Sequence, residues 1–343
     1  MAKNDPSFSF WAPVLFLSLI WGAAGAAAPA GTAVGGPAFT DPDDGPPMPA
    51  EWVARPVVHP PELGGADLAV TLDQQLYPVL LPWIRDFARA EGVEIAVREG
   101  TCGVSAANLV DKEADIGGFC CPPGREDRLP GLRFHTLGIA AVALLVHPDN
   151  PVDNVSLAEA HGLFQGSVPV WSEVSGSGGF HERVRPVGRL HCKMRPGRWR
   201  RLLDHEDLFS PRMEEVGTIP DMIARVAAEP GAVGHETLKM ARRYGPNGAV
   251  RVLAVDDVRP DDTAALVRGE YPIYRTFNLT TWEGAAENPL AEQLVDHLLD
   301  AFQRSVPPGG FVAASRLRAA GWRFHGNELV GEPGRTPEDG TEQ

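Results

Sequence analysis

Cysteine is scarce in this chain, with 4 in 343 residues. That excludes a small scaffold held together by disulfides in place of a core. Positive charge is in deficit: 31 Lys and Arg face 45 Asp and Glu, a formal net charge of −14. An acidic chain lacks the electrostatic footprint of a nucleic-acid binder. Beyond the N-terminus no apolar run approaches the roughly 20 residues that a membrane span needs. Also missing are a Gly-x-Ser-x-Gly elbow, a His-Glu-x-x-His pair, a Walker A loop, a Cys-x-x-Cys pair and any internal repeat. The common hydrolase, zinc-protease, nucleotide and thioredoxin signatures are therefore absent, and the chain reads as a binding protein rather than an enzyme. What is present suffices for a folded core: 43% of the residues are apolar. The length corresponds to roughly two domains at about 150 residues each.

Residues 1–28 read as an address. Lys3 precedes a short, mainly apolar run from Phe8 to Trp21, and small residues follow at Ala-x-Ala spacing through Ala28. This is the layout of a secretory signal peptide. It predicts a periplasmic or otherwise exported protein, soluble and with no stable membrane insertion after cleavage, in an oxidising compartment. Residues 29–65 are rich in Pro, Gly, Ala and Asp without periodicity and read as a flexible linker. Residues 332–343 read as a disordered acidic tail.

Between them strand-like and helix-like runs alternate. Asp67–Leu72, Val93–Arg98, Asp115–Phe119, Leu137–Val146 and Val250–Val255 have strand character. Tyr77–Ala90, Val104–Ala114, Ser156–Phe164, Pro196–Leu203, Asp221–Ala228 and Asn288–Arg304 have helical spacing, and Ser156 with Glu159 forms a capping box. Alternation of this kind predicts an α/β fold with a parallel sheet.

The stretch from His147 to Val174 (HPDNPVDNVSLAEAHGLFQGSVPVWSEV) resembles the phosphate-type, PstS-like periplasmic solute-binding proteins of ABC importers. So do Ile223–Glu236 (IARVAAEPGAVGHE) and Leu253–Pro260 followed by Gly269–Arg275 (GEYPIYR). Order and spacing hold from about Ala66 to Arg323. The resemblance implies a periplasmic-binding-protein-like (PBP-like) fold: two α/β lobes joined by two crossover strands, with the ligand in the cleft between them. Lobe 1 is expected over 66–141 and 273–331, and lobe 2 over 142–272. Delivery to an ABC permease or to a sensor kinase would follow.

By the same resemblance, four loops should hold the ligand, and this chain departs from the family in each. Hydroxyl and glycine loops are replaced by Asp73-Gln74-Gln75-Leu76, Gly100-Thr101-Cys102-Gly103, Phe119-Cys120-Cys121-Pro122 and His191-Cys192-Lys193-Met194. All four cysteines fall in these loops. Thr101, Cys102, Gly103, Cys120, Cys121, Cys192 and Lys193 are thus the candidate ligand-binding residues. Cys102, Cys120, Cys121 and Cys192 are candidate ligands to a thiophilic metal or metalloid, because soft sulfur donors select Cu(I), Zn or arsenite-like species over hard anions. No other cofactor is expected. Two alternatives stand beside this. The four cysteines can form two disulfides in any of three pairings, leaving an ordinary phosphate or oxyanion binder. Avoiding a strained bond between the adjacent Cys120 and Cys121 would then tie one lobe to the other. A thiol oxidoreductase using Cys120 and Cys121 lacks the usual spacing. His191 and Met194 are further candidate ligands. Lys193, Arg195 and Arg198 form a basic cluster, and Trp171, Tyr271 and Arg275 are read as architecture. Asn154 and Asn278 lie in glycosylation sequons.

Overall fold

The computed structural model describes residues 39–189, 202–203, 208–305 and 310–334. The signal peptide, His191, Cys192, Lys193, Met194, Arg195, Arg198 and the tail beyond Gly334 lie outside the described residues, as does most of the expected helix 196–203. In chain order the elements are α1 (Ala50–Val53), β1 (Leu68–Asp73), α2 (Tyr77–Glu91), β2 (Ile95–Gly100), α3 (Cys102–Val110), β3 (Ile116–Phe119) and β4 (Leu132–Val146). Then come β5 (Asn154–Val155), α4 (Leu157–Gln165), β6 (Arg185–Arg189), β7 (Glu214–Val216), α5 (Ile219–Ala228), β8 (Ala232–Thr237), α6 (Leu238–Tyr244), β9 (Arg251–Val252) and β10 (Ala254–Val255). The chain closes with α7 (Thr263–Val267), β11 (Tyr274–Trp282), α8 (Pro289–Arg304), β12 (Phe311–Ala313), α9 (Ala314–Ala319), β13 (Arg323–His325) and β14 (Glu328–Gly331).

The main sheet among the described residues runs β2-β1-β3-β11-β4-β8-β6-β7. β1, β2 and β3 are parallel to one another, as are β6, β7 and β8. The seam between these two parallel sets is antiparallel: β11 pairs with β3 and β4, and β4 with β8. The sheet is therefore mixed rather than wholly parallel. The reason lies in β4, which spans 15 residues, pairs with β11 in its first part and with β8 in its second, and so carries the chain from one lobe to the other. β11 makes the return.

Each lobe has its own core. In the first, α2 turns Val79, Leu80, Ile84 and Phe87 inward, and α8 adds Leu294, Val295, Leu298 and Phe302. Trp83 meets Phe302 edge-on at 6.3 Å. Burial of each such side chain is worth roughly 1.5–3 kcal/mol. A second cluster gathers Val152, Leu163, Phe164, Trp171, Leu266 and Tyr271. Trp171 Nε1 donates to Gly231 O and Tyr271 Oη to Val142 O, which are architectural contacts. The crossover is tightly packed. A Cβ on Gly138 would lie 2.1 Å from Val312 O, so only glycine lets β12 lie along β4 there.

Four assignments differ from the sequence reading. Residues 39–65, read as a flexible linker, are laid against the first lobe within the described part. Trp52 packs on Trp282 at 5.9 Å, Val58 N donates to Lys112 O, and Arg128 Nε donates to Thr40 Oγ1. Scattered prolines hide such a strap from pattern reading because its anchors are single side chains without a period. Glu332, placed in the tail, is buried and accepts from Tyr274 Oη at 2.6 Å. Val312, Leu317, Trp322 and Leu329, assigned to lobe 1, pack in the second cluster, because β12 pairs with β4 at the crossover. The expected strand 250–255 is two short strands, β9 on β4 and β10 on β5. Among the described residues no helix is long and apolar enough to cross a membrane.

Candidate functional site

In an open α/β sheet the carboxyl ends of the strands are where ligands bind. Here those ends from both lobes face one another. Asp73 is the last residue of β1, Cys102 follows β2, and Cys120 and Cys121 follow β3. From the other side Arg189 ends β6, and His235, Glu236 and Thr237 end β8.

Each loop has a local cause. Asp73 Oδ1 accepts from Gln75 N at 2.7 Å and Leu76 N at 3.1 Å. This side-chain turn leads the chain into α2. Thr101 caps α3, its Oγ1 accepting from Val104 N at 3.2 Å, so its hydroxyl is committed to the helix start. Cys102, next in line, is thereby aimed into the protein and buried, whereas Gly103 is exposed. β3 is all buried, and its end delivers Cys120 and Cys121 to the same place.

Cys102, Cys120 and Cys121 are thiols, all buried. Cys102 Sγ lies 3.4 Å from Cys120 Sγ, and Cys121 Sγ donates to Cys102 Sγ at 3.9 Å. Cys120 and Cys121 are adjacent in the chain after β3, so the three sulfurs cluster around Cys102. Cys120 N donates to Cys102 Sγ at 3.3 Å. One carboxylate oxygen of Asp73 and the sulfurs of Cys102 and Cys120 lie within 4.8 Å of one another, a spacing that could hold a single ion. Hydrogen bonding with Cys102, together with burial and the Asp73 charge, pushes the Cys120 thiol well above the usual thiol range. Cys102 also rises well above that range. Its hydrogen bond with Cys120 pulls it down, but the bond with Cys121, burial and the charges of Cys121 and Asp73 outweigh it. Burial pushes Asp73 up to about 6, against the opposing pull of its backbone donors, the Cys120 thiol and Arg275.

Around the cluster is a buried polar frame. Arg275, read from the sequence as architecture, donates from Nη1 to Cys120 Sγ at 3.8 Å, so it belongs to the site. Arg189 pairs with Glu236 at 3.0 Å and donates to Gln74 Oε1 at 3.2 Å. Gln75 donates to Glu236 Oε1 at 2.6 Å and accepts from Thr237 Oγ1 at 2.9 Å. Burial and the nearby Arg275 and Arg189 charges hold the His235 imidazole neutral, well below its usual range. The structure thus brings Cys102, Cys120 and Cys121 together. Thr101 is at the edge as a cap, and Cys192 and Lys193 fall outside the described residues. Asp73 and Gln75 were read from the sequence only as members of the first ligand loop, and Arg189, His235 and Glu236 were not singled out. The available signal was a His-Glu pair inside the otherwise apolar run of β8, since buried charged residues are rare without a partner.

Comparison with known proteins agrees with this geometry. Residues 57–301 match the family described as the PBP superfamily domain. The phosphate-binding protein PstS of Bacillus subtilis (strain 168) is 23% identical over 241 residues, covering 69% of this chain and 76% of that protein. A phosphate ABC transporter substrate-binding protein from Clostridium perfringens, solved with bound phosphate, superposes with a TM-score of 0.60 at 16% identity, covering 72% of this chain and 99% of the other. An ABC-type phosphate transport receptor from Vibrio cholerae gives 0.58 at 16% identity, again with 72% and 99% coverage. With a family match over most of the chain and a two-lobed sheet whose strand ends meet at one buried site, this protein belongs to the PBP superfamily.

Proposed function

We propose that the protein is an exported solute-binding protein that captures a small thiophilic ligand between its lobes and presents it to an ABC permease or a sensor kinase. One observation carries the reading: three thiols, Cys102, Cys120 and Cys121, converge at the strand ends where the fold binds its ligand. The relatives named for phosphate support transport of a small solute. The site here favours a softer one, because sulfur replaces hydroxyl donors and because Asp73 and Glu236 set two carboxyl groups into the same buried frame. A phosphate would meet those groups with little water to screen the repulsion. The buried Arg275 favours phosphate as the second reading, since a guanidinium is the usual partner of such an anion.

The test is calorimetric titration of the reduced full chain with phosphate and, separately, with Zn²⁺, Cd²⁺, Cu⁺ and arsenite. At least one thiophilic species is expected to bind one per chain and to lose that binding in Cys102→Ser. Phosphate is expected to bind no tighter than millimolar, because each lost charge-assisted hydrogen bond costs about 1.5–3 kcal/mol. Micromolar phosphate binding with no thiophilic ligand bound overturns the reading.

A further inference from the structure

We infer that Cys102, Cys120 and Cys121 form a three-sulfur site for one trivalent metalloid hydroxide of the arsenite or antimonite class. This deepens the proposed function and rests on it. Three features of the sulfur cluster decide the class.

First, the donors are three thiols clustered around Cys102, whose Sγ lies 3.4 Å from that of Cys120 and 3.9 Å from that of Cys121. A trivalent metalloid takes three ligands on one side and keeps a lone pair on the other, so one atom seated over the cluster can bond all three sulfurs. Two of the three come from adjacent positions, Cys120 and Cys121, on one loop. The third comes from the first turn of α3, fixed there by the Thr101 cap. The donors are therefore set by rigid elements, not gathered from mobile chain.

Second, the charge around the cluster is already balanced. Arg275 reaches Cys120 Sγ at 3.8 Å and Arg189 pairs with Glu236 behind it, while Asp73 supplies the remaining carboxyl. A divalent cation on the sulfurs would displace three thiol protons and leave a net −1 complex in the buried site, so its binding changes the charge there. A neutral trihydroxide brings no charge into the site and pays little to leave water.

Third, the chemistry balances without an oxidant. Each sulfur–metalloid bond forms as the S–H proton passes to a hydroxyl on the metalloid, which leaves as water. Three thiols and one trihydroxide give one tris-thiolate complex and three waters, with no change of oxidation state. Soft sulfur donors supply the selectivity over phosphate, whose fully oxidised centre offers no such exchange.

The experiment uses the reduced full chain and its Cys192→Ser variant, with arsenite, Cd²⁺ and phosphate as probes. With arsenite, native mass spectrometry is expected to show one adduct per chain, a gain of one arsenic less three hydrogens. Thiol titration of Cys192→Ser is expected to fall from three to none on the same addition. Cys121→Ser and Cys102→Ala are each expected to weaken arsenite at least 10-fold, and thermal denaturation confirms that each is folded. The adduct mass in the unmodified chain does not depend on any variant. Arsenite binding that is lost in Cys192→Ser overturns the three-sulfur site. If Cd²⁺ binds and arsenite leaves the thiols titratable, this inference fails and the thiophilic reading stands. If only phosphate binds, both fail.

Discussion

Gln75 Nε2 donates to Glu236 Oε1 at 2.6 Å, joining the loop after β1 to the end of β8 across 161 residues of sequence. The same side chain accepts from Thr237 Oγ1 at 2.9 Å. One glutamine thus ties the ligand-facing loop of the first lobe to the carboxyl end of a strand in the second. Neighbouring Gln74 does the same toward Arg189. These contacts exist only when the lobes are together, so they favour the closed arrangement by their own free energy.

Gln75→Ala is therefore expected to loosen closure. It leaves Glu236 and Thr237 short of buried partners, which costs about 1–3 kcal/mol. The expected result is a larger radius of gyration in small-angle scattering and a lower melting temperature. A variant with the scattering profile and stability of the parent would show that the glutamine does not hold the lobes.

The N-terminal strap makes a second prediction. Lys112 Nζ sits 4.4 Å from the Trp52 ring and 3.9 Å from the Trp282 ring, a cation held between two aromatic faces. Such contacts are worth about 0.5–2 kcal/mol when partly desolvated. Lys112→Met keeps the aliphatic stem and removes the charge. Urea denaturation is expected to show a loss of about that size, and the same loss is expected from Trp52→Leu without an additive effect in the double variant. Additive losses would mean that the strap and the lysine act independently.

Asp73 gives a pH dependence with a definite sign. Its carboxyl titrates at about 6 in the folded protein, against an ordinary value of 3.8. Between those values the folded chain holds a proton that the unfolded chain has lost. Stability from this group therefore falls as pH rises through that window, by about 3 kcal/mol in all. Asp73→Asn removes the titration while its Oδ1 still accepts from Gln75 N and Leu76 N. Its stability relative to the parent is expected to rise from pH 4 to pH 7 and then level off. A constant difference across that range would place the group's pKa near its unfolded value.

Much of the scaffold was legible in the chain. α2 and α8 carry apolar residues at helical spacing, and the structure places both helices where that spacing puts them. Ser156 accepts from Glu159 N and begins α4 as the capping box requires. Periodicity reports such elements because each residue's environment repeats with the local geometry. The family motifs, read as a resemblance, fixed the two-lobed architecture. Cys120 and Cys121 could be located in a loop, since Pro122 marks a turn, whereas Cys102, expected in a loop, opens α3.

What the sequence could not decide was which side chains meet. Arg275 and Cys120 are 155 positions apart and touch because β11 runs antiparallel to β3. Gln75 reaches Glu236 because β4 carries the chain into the second lobe and β8 pairs back against it. The strap over Trp282 is fixed by single anchors, Trp52 and Thr40, that have no period to betray them. Local pattern specifies elements because it is set by neighbours along the chain. The cluster of Cys102, Cys120 and Cys121 arises from strand order and register, which only the folded sheet settles.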